Sequence, residues 1–449
     1  MPAFPPGVFV IALLFLSAPA LAGELTWEGF YRGRGLLFDS LSLSDSNPNA
    51  EGTSNSFDHR LLLRPSWMIS DHAAIHAQVD VFKLTLWGDT ADTYTDPVTG
   101  EVIAVAQADG VTTDGTGLQA VRGWGEAYTS WGRFSMGRMP MQWGAGILWN
   151  DGNDVTDEFG DSADRFQVTT KVGPVFVMGA YDVQYEGFLG APDDMQAVSL
   201  AVGYRTETVG LGMLNNYRFR PEEPYAYQAY TGSLWALAEM GPVKAELEGV
   251  GVFGGGDFDT GANDISVMAF GLMAKGDYQG EKLGISGEFG VATGDDDPTD
   301  EKLTAFTFDR DHNVGILLFE EPLPTLQTSV MNDSNAGRST DAAQSGEGIN
   351  NAIYFRPAIR YKLIPQLEAE AAWLVAGRAD SEGSSESAEG YGNELDFSLR
   401  VDPHPHVWLQ GTVGVLLPGP LYTEYEDEEL GGGFDQPAVG VRVVGAVEF

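Results

Sequence analysis

Alternation is the feature that most constrains this chain. In its last sixteen residues, Val439, Val441, Val443, Gly445, Val447 and Phe449 share one parity, and Gly440, Arg442, Val444, Ala446 and Glu448 share the other. Between Tyr391 and Asp402 the separation is cleaner. Tyr391, Leu395, Phe397, Leu399 and Val401 alternate with Glu394, Asp396, Ser398, Arg400 and Asp402. Ile353, Phe355, Ile359, Tyr361 and Leu363 stand opposite Tyr354, Arg356, Arg360 and Lys362, and near the front Leu25, Trp27, Tyr31 and Leu37 oppose Glu28, Arg32 and Arg34. Successive side chains of a strand point to opposite faces, so a period of two offers one face to an apolar phase and the other to water. Past residue 22 no uncharged apolar run reaches the roughly 20 residues a spanning helix needs. Recurrent Gly-x-Gly spacing, as at Gly33/Gly35 and Gly123/Gly125, also disfavours helix.

Connection lengths turn alternation into a topology. Candidate strands begin near residues 24, 57, 73, 118, 133, 163, 174, 195, 208, 225, 242, 264, 281, 349, 366, 391, 405 and 434. Their links alternate between very short and long. Short ones include Ser70-Asp71-His72, Gly173-Pro174, Gly241-Pro242, Ile364-Pro365-Gln366 and the Pro403-His404-Pro405 corner. Long ones run near 43–56, 88–117, 142–162, 187–194, 219–224, 255–263, 294–348, 380–390 and 418–433. An even strand count with both termini on the short-turn side is what a bacterial outer-membrane barrel requires. Closure leaves no unpaired edge in hydrocarbon. The expected fold class is all-β: one transmembrane antiparallel up-and-down β-barrel of about 18 strands, with 16 as the neighbouring even count. The chain ends on Phe449 within a strand, which resembles the end signature of Gram-negative outer-membrane barrels.

The first 22 residues read differently. An apolar run, Val8 to Leu16, precedes Ala20-Leu21-Ala22, the short apolar core and small-residue cleavage site of an export signal, here without a basic residue before the core. The organisation expected is a cleaved signal peptide over 1–22 and an outer-membrane barrel over 23–449. Its long extracellular loops would be acidic and its partner would be outer-membrane lipid. A formal charge of −40 excludes nucleic acid as a partner, since such binding rests on basic patches. The absence of cysteine removes disulfides, thiolate metal sites and cysteine nucleophiles. The nine long connections hold 40 of the 65 acidic residues and four basic ones, Arg220, Lys302, Arg310 and Arg338, a loop charge of −36. An anionic mouth of that kind raises the local cation concentration.

If the apolar register faces lipid, the polar register faces the lumen. The residues expected to line a pore are Arg32, Arg34, Arg60, Arg64, Arg122, Glu126, Arg138, Arg356, Arg360, Lys362, Glu368, Glu370, Glu394, Asp396 and Arg400. Arg356, Arg360 and Lys362 sit across a tight turn from Glu368 and Glu370. Cross-strand pairs of this kind stiffen a sheet; across an open bore the same charges form a transverse field that selects solutes. Trp27, Trp67, Trp131 and Trp373 fit the interfacial aromatic girdles.

No catalytic residue, cofactor or metal is expected. Gly-x-Ser-x-Gly and His-Glu-x-x-His are absent, and His76 and Asp80, on one strand face, lie about 13 Å apart at the usual rise. Asp151-Gly152-Asn153-Asp154 begins like a calcium loop but has Val155 at its fifth position. Two classes of function remain: a channel for small hydrophilic solutes or ions, and a structural or adhesive surface barrel with its lumen plugged, the 294–348 connection being long enough for a plug or lid.

Three segments carry a narrower likeness. They are Gly137-Arg138-Met139-Pro140-Met141-Gln142-Trp143-Gly144, then Ala292-Thr293-Gly294-Asp295-Asp296-Asp297-Pro298-Thr299-Asp300 before Phe306-Thr307-Phe308, and Asn393-Glu394-Leu395-Asp396-Phe397 leading to Leu417-Pro418-Gly419. In order and spacing these resemble the alginate-export type of outer-membrane porin, over most of the chain after the signal. The resemblance implies an 18-strand barrel that passes hydrophilic solutes, polyuronate export being one member activity. This chain departs from such a substrate in having only seven lysines and strongly acidic loops.

Overall fold

The structure, a computed structural model, describes residues 23–41, 43, 53–86, 93–95, 102–104, 118–185, 195–220, 226–256, 265–295, 300–320, 323, 348–380, 390–423 and 434–449. The expected signal segment, Asp296 to Thr299 and many of the acidic loop residues lie outside the described residues. Eighteen strands form a closed antiparallel barrel: β1 Glu24–Asp39, β2 Ser54–Ser70, β3 Ala73–Leu86, β4 Leu118–Thr129, β5 Gly132–Pro140, β6 Ser162–Val172, β7 Val175–Tyr185, β8 Met195–Arg205, β9 Val209–Arg220, β10 Tyr227–Met240, β11 Val243–Gly256, β12 Ile265–Gln279, β13 Leu283–Ala292, β14 Ala352–Ile364, β15 Leu367–Gly377, β16 Gly390–His404, β17 Val407–Pro418 and β18 Ala438–Glu448.

Each strand pairs with its neighbours in sequence, and β18 closes on β1, with Phe30 opposite Glu448 and Asp39 opposite Val439. The terminal Phe449 completes the seam by exchanging two backbone hydrogen bonds with Gly29, at 2.9 and 3.0 Å. Closure leaves no sheet edge, the condition for a sheet in hydrocarbon. Two short elements were not expected from the sequence. Thr93–Thr95 pairs with Val102–Ala104 inside the β3–β4 connection, and Lys302–Leu303 runs parallel to the start of β12.

The pleat sorts the side chains as the alternation requires. On β14 to β16, Ile353, Phe355, Ile359, Trp373, Leu395 and Phe397 are exposed on the outer face, whereas Tyr354, Ala358, Leu374, Glu394 and Asp396 are buried inside. A one-residue slip would invert every one of them. Cysteine placed at Arg356 or Glu370 should therefore react with a water-soluble thiol reagent in the reconstituted protein, and cysteine at Ile359 or Trp373 should be protected by lipid. Equal labelling of the two sets would show the register to be wrong.

The lumen is partly filled. On the side of the long connections, residues 141–161 (between β5 and β6) and 304–320 (between β13 and β14) fold inward and pack against the wall. Ile147, Phe306, Phe308, Ile316, Leu317, Leu318 and Phe319 join one buried cluster with Phe38, Val250, Tyr354, Leu374, Tyr391 and Leu416 of the inner wall. Burying such a side chain contributes about 1.5–3 kcal/mol relative to leaving it in water. Glycines in the wall make the sockets. A Cβ at Gly271 would overlap the Phe306 ring, and one at Gly414 would lie 2.6 Å from Ile316 Cγ1.

Candidate functional site

Where the two inward loops meet, the wall contributes charge and the loops contribute backbone. Arg60 of β2 donates from Nε to Asp80 Oδ1 at 2.7 Å and from Nη2 to Asp80 Oδ2 at 2.9 Å, a two-pronged pair only 1% exposed on either side. Its remaining nitrogen donates to the Asp157 carbonyl at 2.8 Å. Arg32 reaches the carbonyls of Val155 and Asp157, and Arg34 binds Asp58 at 2.7 Å and pairs with Glu158. Arg122 donates to Gln78, to Ser162 and to the Asp161 carbonyl. A planar guanidinium with five fixed donors suits this bridging between a carboxylate and carbonyls.

Carboxylates do the complementary work on backbone N–H groups. Glu248 of β11 accepts from Ala145 and Ile147, and Glu394 of β16 accepts from Ile316, Leu317 and Leu318 at 2.7, 3.0 and 2.7 Å. Asp311 accepts from Glu158, Phe159 and Gly160, so one loop clasps the other. His312 Nε2 lies 2.9 Å from Glu288 Oε1 of β13, which also accepts from Tyr354.

Beside these ties lies a cavity of about 500 Å³. It is lined by Lys83, Leu148, Trp149, Phe159, Gly160, Asp161, Arg218, Thr307, Phe308, Asp309 and Arg310. Three cationic and two acidic side chains thus face one space, with aromatic rings between them. The Arg310 guanidinium carbon stands 3.7 Å from the centre of the Phe159 ring, a cation–π contact. Burial, followed by the negative charge of Asp161, pushes the Asp309 carboxyl up to about 8. Asp161, hydrogen-bonded to Asp309, is raised chiefly by burial. Two carboxylates in contact inside a low-dielectric space do not both ionise easily. Burial and Asp311 likewise push Asp157 to about 7, and Asp311 is itself raised by burial.

The sequence-predicted residues divide into three groups. Arg32, Arg60, Arg122 and Glu394 point inward but are buried; they lie under the inward loops instead of lining an aqueous bore, because the loop backbone offers them partners that water would otherwise supply. Asp396, buried as well, sits beside the Glu394 carboxyl. Arg34 also points inward and is occupied by Asp58 and Glu158. On the short-turn side of the loops, Arg64, Glu126, Arg356, Arg360, Lys362, Glu368, Glu370 and Arg400 stand on the inward register.

The expected ladder exists in part. Arg356 binds Glu370 at 3.1 Å, and Arg360 approaches Glu370 at 4.0 Å while pairing with Asp277. Lys362 and Glu368 are register partners without an ion pair among the described residues. Glu126 gathers Trp124, Tyr128 and Ser135, and Arg400 binds Asp402 and covers the Trp408 ring.

Arg138 departs from expectation. Its β5 neighbours Ser135 and Met139 are buried inside, which puts Arg138 on the outer face with the exposed Met136. There it forms a two-pronged pair with Asp164 at 3.0 and 2.7 Å. The Gly-Arg sequence set its parity, and its charge misled: a guanidinium near a strand end is tolerated outside when a carboxylate on the next strand neutralises it.

Sequence reasoning missed Lys83, Arg218, Arg310, Asp309 and Asp311. A signal for them existed. A connection holding Trp143, Ile147, Leu148, Trp149, Val155 and Phe159 is too apolar for a loop in water, and the same holds for residues 304–320.

The geometry defines a transmembrane β-barrel of 18 strands narrowed by two inward loops. Solved structures of similar fold come from Pseudomonas aeruginosa. OccK9 (OpdG) matches with a TM-score of 0.53 and 12% identity over 95% of this chain and 99% of that one. OccK2 (OpdF) in complex with glucuronate matches at 0.52 and 9% over 94% and 98%, and the outer membrane protein opdK at 0.51 and 9% over 95% and 98%. At such identities the likeness concerns the fold. No protein-family description and no curated protein sequence matches the chain, so the alginate-export resemblance rests on its three segments alone.

Proposed function

We propose that this chain is an outer-membrane channel that passes small hydrophilic solutes or ions through a bore narrowed by the 141–161 and 304–320 loops. On this reading residues 1–22 direct export and are removed, and residues 23–449 form the barrel. The observation that carries it is the mixed-charge cavity between the loops. A barrel of this strand count leaves an aqueous channel unless filled, and charged side chains at a constriction are how such channels select. A uronate is bound in one structure of similar fold; in this chain Lys83, Arg218 and Arg310 would meet a carboxylate group, and Asp161 with Asp309 a hydroxyl or a cation. Polyuronate export receives less support, because acidic loops and a carboxyl pair at the constriction oppose a polyanion.

The loop charge of −36 should give a preference for cations at low salt. Reversal potentials of the purified protein in planar bilayers test this. The preference should fade as salt rises, since the Debye length falls from about 30 Å at 0.01 M to about 3 Å at 1 M. Anion selectivity at low salt would overturn the charge argument. A silent bilayer would favour the second reading, a structural or adhesive barrel, which the hydrophobic packing of the inward loops supports.

A further inference from the structure

The charged groups of the upper lumen divide by what they hold. Three carboxylates, from two strands and one loop, each accept two or three consecutive or near-consecutive backbone N–H groups. Rows of N–H groups of this kind form concave anion sites, and charge-assisted hydrogen bonds are roughly twice as strong as neutral ones. Here the protein supplies its own anions. Glu248 and Glu394 are 0% exposed, so the N–H groups they bind have no competing water. Glycines stand at both wall contacts. A Cβ at Gly144 or at Gly315 would lie 2.6 Å from the carboxylate oxygen of Glu248 or Glu394. These glycines let the carboxylate approach the backbone.

From this geometry we infer that Glu248, Glu394 and Asp311 are the positioning residues of the constriction: two latches fasten the inward loops to two separate strands of the wall, a clasp joins the loops, and together they set the bore. The inference rests on the channel reading for its effect on solutes, and on the hydrogen bonds alone for its effect on the loops. It makes the rest of the packing secondary. Apolar contacts keep the loops inside the barrel, whereas the carboxylates fix how far they project, because hydrogen bonds at 2.7–3.0 Å tolerate little displacement.

Two variants break one latch from opposite sides. Glu394→Gln keeps the shape but removes the charge and turns one acceptor into an NH2 donor facing N–H groups. Gly315→Ala keeps the charge and displaces the carboxylate; Gly315 is outside the left-handed region, and the nearest atoms an added methyl meets are those of the Glu394 carboxyl. Glu207→Gln, in the exposed short turn between β8 and β9 and away from both loops and the lumen, is the control. Amide hydrogen exchange is read on the folded full-length proteins in detergent, and single-channel conductance with polyethylene glycols of graded size in planar bilayers.

The amides of Ile316, Leu317 and Leu318 should exchange at least about tenfold faster in both latch variants, the factor that corresponds to about 1.4 kcal/mol. Both variants should also conduct more and admit larger polymers, and the control should do neither. Unchanged exchange at these three amides in both variants would overturn the latch. Faster exchange with an unchanged size limit, while the wild type conducts, would overturn the bore-setting role. A silent wild type beside a conducting latch variant would support the latch and sink only the open-channel reading; silence of all would sink both the channel and the bore-setting role.

Discussion

Replacing Arg60 by alanine should destabilise the barrel by about 3–5 kcal/mol, the usual cost of leaving one partner of a buried ion pair without the other. Asp80 would keep its charge in a site 1% exposed, and the Asp157 carbonyl would lose its shorter donor, keeping only Arg32 at 3.4 Å. The loss should therefore appear in two places: in the denaturant midpoint of the barrel in micelles, and in faster exchange along residues 155–161. The double variant Arg60→Met, Asp80→Leu removes both charges and should recover most of the denaturant stability, because a buried pair is often worth little against an apolar pair of similar volume. It should not restore the hold on residue 157. A single variant that unfolds like the wild type would show that Asp80 is neutralised by other means.

The second large effect is on selectivity against pH. The Asp309 carboxyl is pushed up to about 8 by burial and by Asp161. Its folded value lies above its ordinary one, so its proton is held more tightly in the closed loops than in the unfolded chain. That contribution to loop closure is fully present below about pH 4 and is lost as pH rises through about 8. A carboxylate in water is ionised well below pH 6 and does not change in this window.

Raising the pH from 6 to 9 should therefore add charge mainly at the constriction. Cation selectivity should increase over that range, and the loops should loosen toward its upper end. The groups around the pair are Arg122 on β4, Lys83 on β3, Arg218 on β9, and Asp151, Asp157, Arg310, Asp311 and His312 on the loops. Asp157, raised to about 7, adds to the change in the same direction. Asp309→Asn should remove the upper part of the pH dependence, leaving the part carried by Asp157 in place. A wild-type reversal potential that stays constant from pH 6 to 9 would mean that the pair does not face the conducting path.

Much of this was legible in the chain, for a definite reason. The outer face of a membrane barrel meets one solvent, hydrocarbon, at nearly every position. Ile353, Phe355, Ile359 and Leu395 therefore announce their direction by composition, and their parity carries Arg356, Arg360, Glu370 and Glu394 to the inside. The rhythm of short and long links then determined the strand count, since each hairpin turn is local.

What the chain did not announce is what fills the lumen, because inside there is no single solvent to sort against. Arg60 and Arg356 look alike in sequence. One is sealed under the Asp157 carbonyl and the other stands nearer water, a difference made by a loop more than 90 residues away. Arg138 obeyed its parity but its charge suggested the opposite face, and only the β5–β6 register, with Asp164 beside it, decided. Sequence alone determined the barrel, its strand count and the register of its wall. Tertiary structure decided where the bore narrows and which charges remain free to act on a solute, since both depend on long-range hydrogen bonds between wall side chains and loop backbone, which leave no periodic trace along the chain.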